Sequence, residues 1–126
     1  HAPAYQDGSG AVFAIVRRED EQLVGAISLK IDAEFDKAEL GYWVGTPFWN
    51  SGYATEAATA MLDYGFRDRK LNRIAAKHLA RNPASGRVMQ KAGMQLEGTA
   101  RQDTKKWGRY EDLVSYGILR EEWLRR

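Results

Sequence analysis

Apolar positions along the first third of the chain follow a strand-like pattern, and the period then lengthens. Residues 11–17 (AVFAIVR) and 22–31 (QLVGAISLKI) are apolar and β-branched, and the polar run Arg18-Glu19-Asp20-Glu21 separates them. They read as two strands of a hairpin. Residues 1–10 (HAPAYQDGSG), rich in small and turn-forming types, read as a loop. A polar connection, 32–37, leads to a third strand, 38–44 (AELGYWV), and then to a loop, 46–52 (TPFWNSG). From residue 53 to 70, Ala54, Ala58, Met61, Leu62, Gly65 and Phe66 recur at a 3.6-residue period, which predicts a helix. A short strand is expected within 71–79, around 73–76. Asn82-Pro83 opens a second helix and Gly93 closes it. Residues 94–104 and 113–119 read as strands joined through Lys105-Lys106-Trp107-Gly108-Arg109.

The order is β-β-β-α-β-α-β-β. Strand 38–44, helix 53–70 and strand 72–79 form a βαβ unit, whose right-handed crossover makes the two strands parallel. The hairpins on either side add antiparallel strands. The expected class is α+β with a mixed sheet, and three antiparallel strands ahead of the crossover exclude a doubly wound topology.

At 126 residues the chain holds one domain, 1–126, with no room for two cores. A hydrophobic fraction of 44% with 29% charged residues is that of a globular protein. Nineteen Lys+Arg against seventeen Asp+Glu leave a net charge of +2, and the charges are scattered. Neither a nucleic-acid stripe nor a polybasic membrane anchor is visible, so neither partner is expected. No apolar run approaches the roughly 20 residues that span a bilayer. With no secretory signal in view, a cytoplasmic setting is the default. The absence of cysteine excludes a thiol nucleophile and thiolate metal sites. His1 and His78 cannot make a metal cluster with each other at helical spacing, so no metal site is expected.

The segment Trp49-Asn50-Ser51-Gly52-Tyr53-Ala54-Thr55-Glu56-Ala57 carries candidate chemistry. It joins the third strand to the first helix, where backbone N–H groups and the positive end of the helix dipole favour an anion. Gly52 lets the backbone approach a phosphate closely, and Ala54 keeps the first turn clear of bulk. The loop is equally a plain strand-to-helix connection with Ser51 as the N-cap. It has neither the Gly-Lys-Ser/Thr of a Walker loop nor a G-x-G-x-x-G.

The run Glu39-Leu40-Gly41-Tyr42-Trp43-Val44 followed by 49–57 resembles the acyl-CoA motif of the GNAT superfamily of N-acetyltransferases. Within it the chain is similar to the group containing the ribosomal-protein N-terminal acetyltransferases. The family pattern Gln/Arg-x-x-Gly-x-Gly/Ala has Gly52 and Ala54 in place, with Trp49 at its first position. Asn82, Ser85, Lys91, Gly93 and Met94 match a second region, and Gly108 to Asp112, Tyr116 and Glu122-Trp123 match the end.

The resemblance implies a GNAT-like, mostly antiparallel mixed sheet whose two parallel strands splay to hold CoA. The pantetheine arm would pair with backbone near Trp43 and Val44, and the pyrophosphate would rest on Asn50, Ser51, Gly52, Tyr53, Ala54 and Thr55. A backbone N–H near Trp43 and Val44 would polarise the thioester carbonyl. Asn82 would reach the pantetheine, besides serving as an N-cap. Lys91 and Arg87 would meet the 3′-phosphate or lie on a solvated helix face.

Acetyl transfer to an amine also needs a base and an acid. The resemblance names Glu39 as base, against a plain solvated strand carboxylate. It names Ser85 as acid, because Met89 occupies the position of the tyrosine that many superfamily members use. Tyr53, Tyr110 and Tyr116 are weaker acid candidates. The group's second candidate glutamate position is Thr104 here, with Asp103 beside it. The aromatics Tyr42, Trp43, Phe48, Trp49, Trp107 and Tyr110 are core residues or walls of an acceptor cleft.

The implied function is acetyl-CoA-dependent N-acetylation of a primary amine by direct attack in a ternary complex. The acceptor is a protein or peptide α-amine first and a small-molecule amine next. A non-catalytic acyl-CoA-binding module is the rival. Family members usually carry a strand and helices ahead of residue 11, which 1–126 lacks. Phe13 and Ile15 are then expected to be partly uncovered beside a bare sheet edge. Either residues before His1 or a second subunit, making a homodimer, would cover that surface.

Overall fold

The computed structural model of the chain describes residues 10–45 and 52–126, together with the backbone of 3–7. Asn50, Ser51, Phe48 and Trp49 lie outside the described residues. Among the described residues, seven strands form one sheet: β1 (Pro3–Asp7), β2 (Gly10–Val16), β3 (Leu23–Asp32), β4 (Lys37–Val44), β5 (Arg73–Leu79), β6 (Gln95–Lys106) and β7 (Arg109–Leu119). Their order across the sheet is β1-β2-β3-β4-β5-β7-β6. Among the described residues, β4 and β5 are the one parallel pair and every other pair is antiparallel. Helix α1 (Tyr53–Asp63) makes the crossover between them, α2 (Pro83–Lys91) follows β5, and α3 (Arg120–Arg125) ends the chain. The α+β class and the central βαβ unit are as expected.

The strand period of two sorts β4 into two faces. Ala38 and Leu40 are buried under α1 in a core with Ile27, Leu29, Leu62, Phe66 and Ile74. Glu39, Gly41 and Trp43 point to the opposite face, level with Lys30, Ser28 and Ala26 of β3.

Four local expectations are corrected. Residues 3–7 form β1 rather than a loop, because backbone pairing to β2 overrides their turn-like composition. That pairing also gives β2 a neighbour along the edge expected to be bare; Ile15 is buried in the core, whereas Phe13 stays partly exposed as expected, edge-on against Tyr64 with ring centroids 5.3 Å apart. The 53–70 helix runs unbroken to Asp68 but changes type, since α1 passes into a π-helical turn, Tyr64–Asp68. Gly65 lies there so close to the sheet that a Cβ would fall 2.6 Å from Ile74 Cδ1. The last hairpin is longer than predicted and turns tightly at Trp107-Gly108, both at positive φ.

Helix α3 was not anticipated. Glu122 Oε1 accepts the Leu119 N–H at 2.9 Å and closes its first turn. Trp123, 1% exposed, packs against Phe66 and donates its indole N–H to Asp63 at 3.2 Å.

On the face away from the helices, Arg73 Nη1 donates to Glu97 Oε2 at 2.7 Å. This hydrogen bond holds the Glu97 carboxyl below its usual range, with desolvation opposing. A lowered carboxylate pKa stabilises the fold above about pH 4.3 and loses that contribution as pH falls through the folded value. Both side chains are partly exposed, so the pair contributes less than about 1 kcal/mol. Glu97→Gln is expected to cost that small amount at pH 7 and almost nothing at pH 3. Urea unfolding at both pH values checks it, and an equal cost at the two would contradict it.

Candidate active site

Pairing between β4 and β5 runs from Lys37↔Arg73 to Leu40↔Ala76 and stops there. Both strands continue, β4 to Val44 and β5 to Leu79, no longer paired with each other. A cleft of about 490 Å3 opens at this divergence. Its walls are Tyr42, Trp43 and Val44 of β4, the start of α1 from Gly52 to Thr55, and α2 with the residue before it. The α2 wall presents Asn82, Ser85, Arg87 and Lys91. Nine of the twelve residues expected at the site therefore border one cleft, and Arg87 joins them. Of the others, Asn50 and Ser51 lie outside the described residues and Glu39 lies elsewhere.

The helix entry differs from a side-chain cap. Gly52 itself occupies the N-cap position, in the left-handed region at φ 82°, and its carbonyl accepts the Glu56 N–H at 3.0 Å. A Cβ added at Gly52 would meet nothing within 4 Å among the described residues. An α-helix leaves its first N–H groups without intrahelical acceptors, and here that end borders the cleft. Arg17 reaches this region. Its side chain bonds Asp20 at 2.6 Å, and hydrogen bonding to Asp20 first and to the Tyr53 hydroxyl next raises its already high pKa.

Asn82 takes the N-cap position of α2 and Pro83 begins the helix, as predicted, but the Asn82 side chain caps nothing. Its carbonyl accepts the Ser85 N–H instead, at 3.3 Å. Asn82 itself borders the cleft. At the other end, Gly93 at φ 96° closes the helix as expected.

The acid candidates separate clearly. Tyr116 is buried behind α2, where Gln90 Nε2 donates to its hydroxyl at 2.9 Å and His78 stacks on its ring. Tyr110 is exposed on the last hairpin. Tyr53 borders the cleft with its hydroxyl engaged by Arg17. Ser85 borders the cleft at the first turn of α2. Sequence reasoning gave no acid role to Tyr42, whose buried hydroxyl has no hydrogen bond of good geometry. Burial raises the Tyr42 pKa, and the nearby Ser85 hydroxyl partly opposes that rise.

Glu39 does not border the cleft. It sits on the other face of β4, half-exposed, 3.8 Å from Lys77 Nζ and opposite Lys30. It shares that face with Trp43, four residues and about 13 Å of strand further on. Among the described residues, no Asp, Glu or His lines the cleft.

A parallel pair that splays over a helix N-terminus, with antiparallel strands on both sides, defines a known class of domain. The chain belongs to the GNAT family, for the family's acetyltransferase domain matches residues 2–95. The chain is 34% identical over 118 residues to the uncharacterized N-acetyltransferase p20 of Bacillus licheniformis, covering 93% of this chain and 66% of that one. It is 25% identical over 121 residues to the ribosomal protein uS5 alanine N-acetyltransferase of Escherichia coli, covering 94% and 62%. A variant of the spermidine N-acetyltransferase of Vibrio cholerae superposes with a TM-score of 0.87 at 24% identity, over 95% of this chain and 71% of that one. That likeness shows the fold. The chain thus spans less than two thirds of the length of the two curated relatives. Among the described residues, no helix is long and apolar enough to cross a membrane.

Proposed function

We propose that residues 1–126 form one acetyltransferase domain that moves an acetyl group from acetyl-CoA to a primary amine by direct attack. The carrying observation is the divergence of β4 and β5 over the N-terminus of α1. The pantetheine arm lies along Trp43 and Val44 as a short added strand, and the Asn82 amide hydrogen-bonds it. The pyrophosphate rests on residues 50–55, at the helix end whose N–H groups suit an anion. Lys91 and Arg87 take the 3′-phosphate. A backbone N–H near Trp43 and Val44 stabilises the oxyanion, Ser85 serves the departing sulfur, and Glu39 receives the amine proton through water.

The acceptor we infer is a protein or peptide α-amine. With no carboxylate on the cleft wall among the described residues and Glu39 about 13 Å of strand from Trp43, the base is weak and water-mediated. An α-amine of pKa near 8 is already roughly a tenth neutral at pH 7, whereas a lysine-like amine of pKa near 10.4 is almost wholly protonated. The face around Glu39 also bears Lys30 and Lys77, which disfavours a polycation such as spermidine.

A screen with acetyl-CoA and thiol detection tests this. Peptides with a free N-terminus are expected to turn over at least about tenfold faster than N-blocked lysine peptides or spermidine. Preference for spermidine would overturn the acceptor. CoA binding without turnover of any amine would favour a non-catalytic binding module.

A further inference from the structure

The described residues hold few buried side-chain polar atoms without a partner, and one of them belongs to the cleft: the hydroxyl of Tyr42. Burying a hydroxyl unpaired is costly, so such a group marks either strain or use. Tyr42 Oη points to the helix-covered side of β4, where Ser85 of α2 borders the same cleft and its hydroxyl is the hydrogen-bond partner in reach, short of good geometry.

The chemistry of Ser85 gives that neighbour a purpose. An alkyl hydroxyl is a far weaker acid than a thiol, so Ser85 alone would become an alkoxide on protonating a thiolate. It can pass a proton on only if another acid stands behind it. A phenol, ordinarily near 10 and raised here by burial, is still far closer to a thiol near 8.5 than an alkyl hydroxyl is. Among the described residues, Tyr116 is packed behind α2, Tyr110 is exposed on the hairpin, Tyr53 is bonded to Arg17 and Tyr64 to Arg69, so none of them fills that place.

We propose that Tyr42 and Ser85 form a proton relay to the leaving thiolate, with Tyr42 as the source. This rests on the acetyltransfer reading of the cleft. The amine nitrogen bonds to the thioester carbon, and the C–S bond breaks with its electron pair passing to sulfur. Sulfur takes the Ser85 hydroxyl proton as Ser85 Oγ takes the Tyr42 proton. The phenolate regains a proton from solvent once the products leave. The amine's own proton departs through water toward Glu39, so charge and protons balance.

The test is Tyr42→Phe, which removes one oxygen and keeps the ring. Turnover is expected to fall ten- to a hundredfold, with the CoA dissociation constant, measured by calorimetry, within about twofold of the parent. Joined to Ser85→Ala, it should cost no more than Ser85→Ala alone, because both act in one relay. Replacing Tyr42 with 3-fluorotyrosine, a more acidic phenol, should restore turnover and move the alkaline limb of its pH profile down. Parent-like turnover in Tyr42→Phe, or multiplying losses in the double variant, would overturn the relay while leaving the acetyltransfer reading intact. A parent protein that binds no CoA would overturn that reading and the relay together.

Discussion

Gly52→Asp is expected to weaken CoA binding by about 10²-fold while the protein stays folded. Gly52 is the N-cap of α1, exposed, with nothing within 4 Å of an added Cβ. The new carboxylate therefore has room to enter the space assigned to the pyrophosphate, where two like charges at close range repel by several kcal/mol. The helix itself should tolerate the change. Aspartate is a favourable N-cap beside the positive helix end and is among the residues that accept the left-handed region, so the cost there is about 1 kcal/mol or less. Calorimetry and thermal unfolding read the two effects separately. Unchanged CoA affinity in a folded variant would remove the phosphate from this helix end.

Ser85→Ala is expected to lower turnover by about 10²-fold with CoA affinity nearly unchanged. Ser85 stands in the first turn of α2, and its contact with the carbonyl of Asn82 uses backbone N–H, which alanine keeps. Alanine is also the better helix former, so stability should hold or rise slightly. Parent-like turnover would hand the proton to water or to a tyrosine acting without Ser85.

Much of this was legible in the sequence, because the strongest signals there are local. The change from strand pattern to a 3.6-residue period placed β4 and α1. Gly52 and Ala54 marked the helix end, and Asn82-Pro83 with Gly93 marked α2. What was missed depends on partners distant in sequence or on single atoms. β1 exists through pairing with β2, against its composition. Helix α3 is held by the burial of Trp123 on Phe66. The π turn holds Gly65, whose close fit against Ile74 is a contact distant in sequence. The face on which Glu39 stands could be read from the strand period, but its distance from the cleft needed the point where β4 and β5 part. Tyr42 looked like any wall aromatic until its hydroxyl proved buried, with no hydrogen bond of good geometry and Ser85 beside it.

The central claim is that CoA binds in the cleft where β4 and β5 part. Titration of the 15N-labelled protein with acetyl-CoA, followed through its backbone amide resonances, tests it most directly. Saturable shifts at Trp43, Val44, Gly52, Ala54, Thr55 and Ser85, with the β6–β7 hairpin near Trp107 unmoved, are the predicted result. Saturable binding whose shifts avoid β4 and the start of α1, or no binding at millimolar acetyl-CoA, would contradict it.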